Sequence, residues 1–173
     1  MRPELEAILS FGARAVSGSR TVFDEDAGVH LDRLIQGNEN FKEIPVNPTA
    51  LTQEQREHTA QYGQSPLAVV LCCSDSRVPP EHIFHTGIGE LFVVRNAGNL
   101  IGPFALGSVE YAVEHLGTPL VLLMGHTNCG AVGAALSSAQ ESGGLAEILA
   151  EIRAAIGPES DPIAAARKNV LHS

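Results

Sequence analysis

The 173-residue chain lacks the features that mark membrane and secreted proteins. No apolar run approaches the roughly 18 residues that a membrane-spanning helix needs. Residues 1–6 have neither the basic start nor the apolar core of a secretory signal peptide. Three cysteines are too few for the disulfide framework of a small secreted protein, and they suit a reducing compartment. We therefore expect a cytoplasmic protein that does not bind membranes.

Basic residues are also scarce. The chain has 11 lysines and arginines against 20 aspartates and glutamates, which gives a formal net charge of -9. Because the few basic residues are not clustered in a stripe, this balance disfavours binding to nucleic acid. No internal repeat or linker-like segment divides the sequence, and 44% of it is hydrophobic. Residues 1–173 are therefore expected to form one domain with a substantial core, suited to small-molecule chemistry.

Three short apolar runs predict the central strands. They span residues 66–73, 90–95 and 119–126. Each run is too short for a typical helix and is followed by turn or capping residues, so we interpret them as strands buried on both faces of a parallel sheet. Helical patterns alternate with the runs, as at residues 103–116. The alternation predicts an α/β fold, with a parallel-stranded central sheet flanked by helices.

The first third of the chain predicts helices rather than chemistry. Residues 29–37 carry a helical apolar face that ends in a glycine. Thr52 and Gln55 have the spacing of a capping box, which predicts the start of another helix. We therefore divide the predicted domain into an N-terminal helical arm with entry helices, residues 1–62, and an α/β core, residues 63–173.

Two cysteines and a histidine are the best candidates for metal ligands. Cys73 and His126 each end a predicted strand, and Cys129 stands at the start of a predicted helix. Because the carboxyl ends of parallel strands meet at one edge of the sheet, these residues should converge there. Two thiols and one imidazole form a zinc ligand set, and three protein ligands leave a position for water or substrate, as in catalytic zinc sites. The helix dipole should lower the pKa of the Cys129 thiol and favour the ligating thiolate.

Each candidate ligand also has an interpretation that involves no metal. A buried cysteine is more often a small hydrophobic residue, and a histidine after a strand is more often a hydrogen-bonded core residue. The three residues together favour the metal site. Cys72 differs from them, because it points to the opposite face of its strand from Cys73, and we interpret it as core packing.

Asp75 and Arg77 follow the first cysteine at alternating positions. A turning chain can aim both side chains into one crevice, where the arginine can hold the carboxylate through two parallel hydrogen bonds. A simple surface ion pair is the alternative. Held by Arg77, Asp75 would orient a zinc-bound hydroxide formed at neutral pH; released, it could itself become a fourth zinc ligand and close the site. We therefore predict that this pair is catalytic.

At these residues the chain resembles the β-class carbonic anhydrases. The resemblance begins near residue 31 and extends to the helix after Cys129. Its most specific segments are residues 63–66 (GQSP), 73–81 (CSDSRVPPE), 89–99 (GELFVVRNAGN), 110–117 (EYAVEHLG) and 125–132 (GHTNCGAV). The resemblance implies reversible hydration of carbon dioxide to bicarbonate and a proton. It also implies zinc on the two cysteines and the histidine, with the aspartate and arginine as the orienting pair.

The same resemblance assigns residues to the substrate. These residues are Gln64, Phe92, Ala97, Tyr111 and Gly130. The glutamine would reach in from a neighbouring subunit and hydrogen-bond the substrate, while the alanine and the aromatic rings would line a narrow apolar pocket. A homodimer or a higher homo-oligomer is therefore implied, and the amphipathic segments 5–11 and 31–41 should offer it further apolar faces.

The resemblance also bears on the end of the sheet and on function. Relatives usually continue beyond the helix predicted at residues 161–172 into a further helix and strand, so we expect a sheet without that strand and with a more exposed edge. Two other functions stay open. The same zinc site could hydrolyse carbon disulfide or carbonyl sulfide, or the domain could hold zinc without catalysis. Activity on these gases, measured against carbon dioxide, would test the first alternative.

Overall fold

The computed structural model describes residues 25–44, 52–137 and 140–172. Three parallel strands form the sheet: β1 (Ala68–Cys73), β2 (Leu91–Asn96) and β3 (Val121–Met124). The helices around it are α1 (Glu25–Glu43), α2 (Gln53–Tyr62), α3 (Pro80–Ile83), α4 (Pro103–His115), α5 (Gly130–Leu136), α6 (Gly143–Ile156) and α7 (Pro162–His172). A short 3-10 turn, Ala97–Asn99, follows β2. This order confirms the predicted α/β fold, with helices flanking a parallel sheet.

Strand β1 lies at the centre of the sheet, in the order β2–β1–β3. All of its residues are buried, which explains why the sequence here is an uninterrupted apolar run. Its register sets Cys73 beside Asn96 of β2 and Cys72 beside Met124 of β3. The carboxyl ends of the three strands therefore meet at one edge of the sheet, as predicted.

Different helices cover the two faces of the sheet. One face, formed in part by Val69 and Leu71, packs against α4. The opposite face carries the larger core cluster, to which α1, α3, α5, α6 and α7 all contribute. Their buried residues there include Leu34, Ile83, Val132, Ile152 and Ala165. Helix α4 ends one residue before the predicted boundary, and its buried side is formed by Ala105, Val109 and Ala112, whereas the larger apolar residues Phe104, Leu106 and Val113 are exposed.

The observed elements differ from the predicted ones in three places. The first and third predicted strands begin two residues later than expected, and β3 ends at Met124, so His126 lies in the loop beyond it. Helix α3, between β1 and β2, has only four residues. The helix cannot continue through His85, because the φ of 47° at that residue is in the left-handed region. Helix α6 was not predicted from the sequence.

Helix α1 shows that the predicted end at Gly37 is wrong. The helix continues through Gly37 to Glu43, because the absent side chain lets it approach the backbone carbonyl of Phe84. Its apolar side, which we expected to contribute to subunit contacts, packs against the core of the same chain and includes the buried Leu34. The interior, rather than another subunit, therefore explains the amphipathic pattern of this helix.

The start of α2 agrees with the sequence. Thr52 Oγ1 accepts a hydrogen bond from the backbone N–H of Gln55 at 3.1 Å. In return, Oε1 of Gln55 accepts one from the backbone N–H of Thr52 at 3.2 Å. These two bonds satisfy backbone groups that the first helical turn leaves without partners, and they confirm the capping box.

Some predictions fall partly outside the described residues. The segment 5–11 lies wholly outside them, and the single domain over residues 1–173 stays a prediction. In the part of the chain that the structure describes, no helix is long and apolar enough to cross a membrane. Within the same ranges, β2 and β3 form the two edges of the sheet.

Gly37→Ala should destabilise the protein, whereas Gly28→Ala should stabilise it. A methyl group at Gly37 would overlap the carbonyl of Phe84, and overpacking of this kind typically costs about 1–3 kcal/mol. At Gly28, in the same helix, nothing lies within 4 Å of the added carbon, and alanine is favoured over glycine by up to about 1 kcal/mol. Urea unfolding measures both changes. Equal stability of the two variants would contradict the contact between α1 and Phe84.

Candidate metal centre

Three donor residues that are far apart in the sequence meet at the carboxyl edge of the sheet. Cys73 is the last residue of β1, His126 lies two residues beyond β3, and Cys129 immediately precedes α5. Their donor atoms all lie within 4.8 Å of one another, and all three residues are buried. The two sulfur atoms are 3.9 Å apart. The folded chain therefore brings the predicted ligand set together.

The imidazole of His126 is oriented so that one nitrogen is available to a metal. Its Nδ1–H donates to the backbone oxygen of Thr127 at 3.0 Å, which leaves the lone pair on Nε2. This Nε2 is buried and has no hydrogen-bond partner among the described residues. A buried nitrogen without a partner is unfavourable, and a metal ion beside the two sulfurs would satisfy it.

The two cysteines interact strongly as a pair. Contact with Cys129 lowers the pKa of Cys73, and the N–H of Gly98 lowers it further. The same contact, together with burial, raises the pKa of Cys129, although the N–H groups of Ala131 and Val132 at the start of α5 act in the opposite direction. The start of α5 thus acts on the pKa of Cys129 in the predicted direction, but the contact with Cys73 outweighs it in the metal-free pair, because two sulfurs this close share one proton. A divalent cation would replace that proton and favour both thiolates.

Arg77 holds Asp75 through two parallel hydrogen bonds. Nε donates to Oδ1 at 2.9 Å, and Nη2 donates to Oδ2 at 2.8 Å. The backbone N–H of Arg77 also donates to Oδ1. These bonds hold the pKa of Asp75 well below its usual range, so the carboxylate is ionised at neutral pH. Oδ2 lies 4.0 Å from Nε2 of His126, so the pair stands directly beside the ligand group.

Three further hydrogen bonds, from two arginines, fix the backbone that carries the ligands, and the sequence did not predict them. Nη2 of Arg77 donates to the backbone oxygen of Asn128 at 2.8 Å, next to Cys129. Arg95, at the end of β2, donates to the backbone oxygens of Cys73 at 2.9 Å and Asp75 at 2.6 Å. The position of Arg95 at a strand end was the available signal, but its acceptors are backbone atoms that no sequence pattern identifies.

Cys72 stands apart from this group, as expected. It is fully buried in the larger core cluster, although it is the neighbour of Cys73 in the chain. Burial raises its pKa to about 12, so it stays a neutral thiol. The interpretation of Cys72 as core packing is consistent with this position.

Comparison with known proteins identifies the family. A family model described as carbonic anhydrase matches residues 68–171, which include all three candidate ligands. The chain belongs to the carbonic anhydrase family. Carbonic anhydrase 2 of Mycobacterium tuberculosis is 46% identical over 106 residues, which cover 61% of this chain and 50% of that protein. The carbonic anhydrase of Mycolicibacterium smegmatis is 44% identical over 109 residues, covering 62% of this chain and 52% of that protein. This chain thus spans about half the length of these curated relatives.

Solved structures identify the class. A β-carbonic anhydrase of the ascomycete Sordaria macrospora, described as tetrameric, has a TM-score of 0.60 at 25% identity and covers 82% of this chain and 76% of its own. The β-carbonic anhydrase CafA of Aspergillus fumigatus has a TM-score of 0.58 at 30% identity, with coverages of 86% and 72%. The resemblance to β-class carbonic anhydrases is therefore confirmed.

Of the residues that the carbonic anhydrase resemblance assigned to the pocket, Ala97 and Gly130 lie at the carboxyl edge of the sheet, whereas Phe92 pairs with Val69 nearer the amino edge; their roles stay predictions. Phe92 of β2 and Tyr111 of α4 face each other with ring centroids 6.1 Å apart, and the tyrosine is half exposed. Ala97 begins the turn after β2, next to the strand partner of Cys73. Gly130 is the first residue of α5 and is exposed.

Gln64 lies at the other end of the sheet. It precedes β1, and its Cβ is 3.8 Å from where a side chain at Gly89 would begin, just before β2. The six residues of β1 separate this amino edge from Cys73, a distance of about 17 Å at 3.3 Å per residue. Gln64 is exposed and lies at the edge of the sheet opposite to the ligand group of its own chain.

Proposed function

We propose that the protein catalyses the reversible hydration of carbon dioxide to bicarbonate and a proton, with zinc held by Cys73, His126 and Cys129. The observation that carries the proposal is the buried group of three donors with an ionised carboxylate fixed beside it. The curated relatives that this chain matches over half their length are named carbonic anhydrases, which supports the same reaction.

The donor set suits zinc. Two sulfurs and one imidazole nitrogen are ligands that zinc prefers, and three protein ligands are typical of its catalytic sites. The unpartnered Nε2 of His126 and the close pair of sulfurs are the atoms that the ion would satisfy. Zinc bound there would lower the pKa of a water molecule and so supply a nucleophile near neutral pH.

Asp75 would orient that nucleophile. As an ionised carboxylate it can only accept hydrogen bonds, so it would accept one from the attacking water and direct the lone pair of that water towards the substrate. Arg77 keeps the carboxylate in place through both oxygens, which opposes its rotation onto the metal. The backbone oxygen of Asn128 holds the same guanidinium from the other side. Arg77 therefore holds Asp75 in position to accept a hydrogen bond from the attacking water before the reaction begins.

Stopped-flow measurement of carbon dioxide hydration, with metal content determined on the same sample, tests this function. We expect about one zinc per chain and hydration above the uncatalysed rate. A zinc-loaded protein that hydrates no carbon dioxide would contradict the proposal. Activity on carbon disulfide or carbonyl sulfide alone would identify a hydrolase, and inactivity on all three gases would indicate a zinc-binding domain without catalysis.

We also propose that the working unit is a homodimer or a larger homo-oligomer. Gln64 stands at the amino edge of the sheet, so it could contact a substrate only in the pocket of a partner. Helix α4 exposes apolar side chains outwards: Phe104 is 94% exposed, and Leu106, Tyr111 and Val113 are each at least 40% exposed. Phe104 and Tyr111, seven positions apart, lie on one side of the helix and together form an apolar surface that a subunit interface would bury. The second copy would cover that surface.

Phe104→Glu should shift the oligomer towards monomer and lower hydration activity. Because Phe104 is almost fully exposed within one chain, the substitution should leave the monomer folded while placing a charge in the contact surface. Ile163→Glu on α7, which is 48% exposed, is the matched control and should change neither property. Light scattering over a dilution series measures the assembly. A fully active wild-type monomer at every concentration would rule out the shared pocket.

We infer in addition that the protein works in a reducing compartment, such as the cytoplasm. The three cysteines are free thiols, and the sulfurs of Cys73 and Cys129 are close enough to be lost as ligands on oxidation. Zinc binding therefore requires reducing conditions or prior metal loading. Detection of the protein in the cytoplasmic fraction of its cell would test this location.

A further inference from the structure

Asn169 of α7 is a fully buried polar residue to which the proposed function assigns no role. Its side-chain Nδ2 donates to the backbone oxygen of Gly98 at 2.7 Å, across 71 positions of sequence. The other buried residues of α7 are apolar and pack on the core. An amide in such surroundings is costly unless it is hydrogen-bonded, so this bond fixes how α7 meets the turn after β2.

Gly98 lies in the turn next to the strand end that carries the first candidate ligand. It belongs to the turn that directly follows Asn96, the strand partner of Cys73, and its oxygen accepts the bond from Asn169. The φ of 77° is in the left-handed region that glycine adopts without strain. A side chain here would also meet Cδ1 of Ile152 at 2.7 Å. Gly98 therefore connects the turn beside a metal ligand to the buried amide.

Helix α7 also touches the loop of a second ligand. Val170, the neighbour of Asn169, packs onto Gly125, and a side chain at Gly125 would overlap Cγ2 of Val170. Gly125 immediately precedes His126. Two consecutive residues of α7 thus contact the backbone beside two of the three candidate ligands, although α7 supplies no ligand itself.

We propose that Asn169 is a positioning residue of the zinc site, whose amide holds the turn after β2 in place beside the strand end that carries Cys73. Contacts that fix the backbone around metal ligands orient those ligands and so tune the metal. Loss of such an outer partner typically lowers metal affinity or activity by about 10–100-fold. The inference rests on the proposed zinc site but not on the reaction that the site catalyses.

Two substitutions at Asn169 separate its hydrogen bond from its volume. Asn169→Leu removes the amide while keeping a similar size, and Asn169→Asp keeps the shape but replaces the donor nitrogen with oxygen. The matched control is Leu149→Ala, which removes buried contacts from α6 in the same core. Each protein is measured for zinc affinity by chelator competition and for stability in urea. After cobalt substitution, the sulfur-to-cobalt charge-transfer absorption is recorded.

We expect both Asn169 variants to bind zinc about 10–100-fold more weakly than the wild type and to shift the charge-transfer band. Leu149→Ala should lose stability but keep the wild-type affinity and band. Unchanged affinity and band in either folded Asn169 variant would overturn the inference, and so would a failure of both variants to fold, because that result indicates a purely structural role. Neither measurement needs turnover, so a zinc-loaded but inactive wild type would contradict the proposed reaction and leave this inference standing.

Discussion

Cys129→Ala is expected to abolish zinc binding. The substitution removes one of the three buried donors and leaves only Cys73 and His126 beside each other. Two protein ligands cannot complete the tetrahedral set that zinc sites require, so less than about a tenth of the chains should retain the metal after dialysis. Elemental analysis of the purified variant measures this directly. Full zinc content in Cys129→Ala would show that the ligand assignment is wrong.

Cys72→Ala is the matched control for this experiment. Cys72 is also buried and adjoins Cys73, but it is not one of the three donors that meet at the site, and its raised pKa keeps it a neutral thiol. This variant should therefore keep its zinc. Added zinc should stabilise both the wild type and the control by about 4 kcal/mol when free zinc is 1,000 times the Kd, and should not stabilise Cys129→Ala. Loss of zinc from Cys72→Ala would contradict the division between the two neighbouring cysteines.

The parts of this site that could be predicted are those that depend on local pattern and topology. The apolar run before Cys73 is short and uninterrupted because all of β1 is buried at the centre of the sheet, while β3, the strand before His126, is partly buried beside it. Parallel strands then place both residues at one edge of the sheet. The spacing of Asp75 and Arg77 was enough to predict that two parallel hydrogen bonds join them, because both residues belong to one short turn.

The unpredicted parts depend on tertiary contacts with backbone atoms. Asn169 bonds to an oxygen 71 positions away, and Arg95 bonds to two carbonyls in the loop after β1. The spacing of apolar residues along the sequence does not indicate such hydrogen-bond partners. Gly37 was wrongly predicted to end the helix for the same reason. The helix needs a residue without a side chain there because the backbone of Phe84 approaches it closely, and the sequence does not show that contact. The pKa of Cys129 could not be predicted for the same reason. The tertiary contact with the sulfur of Cys73 raises this pKa more than the N–H groups at the start of α5 lower it.

Asp75→Asn is expected to retain zinc and lose most of the carbon dioxide hydration. In the wild type both carboxylate oxygens accept from Arg77, and Oδ2 lies beside the ligand group. An amide offers one acceptor oxygen and no charge, so it cannot hold the guanidinium and also accept a strong hydrogen bond from the attacking water. Loss of a positioned acid–base group typically lowers the rate by about 10²–10⁴-fold. Stopped-flow kinetics and zinc content of the same sample give both quantities.

The pH dependence of stability gives a second readout for Asp75. Arg77 lowers the folded-state pKa of Asp75 below the unfolded value of about 3.9, so the ionised pair stabilises the fold above that pH. As the pH falls through the unfolded and then the folded pKa, this contribution is lost. The stability difference between the wild type and Asp75→Asn should therefore be constant from neutral pH upwards and shrink in acid. A difference that grows in acid would contradict the ion pair.

Asp32→Asn provides the control for the change of charge. Asp32 lies on the exposed side of α1, so its substitution removes the same negative charge without affecting the carboxyl edge of the sheet. This variant should match the wild type in zinc content and activity. If Asp75→Asn were as active as Asp32→Asn, Asp75 would not orient the nucleophile. If instead it lost its zinc, Asp75 would be part of the metal-binding group, and the three-donor site with a separate acceptor would have to be abandoned.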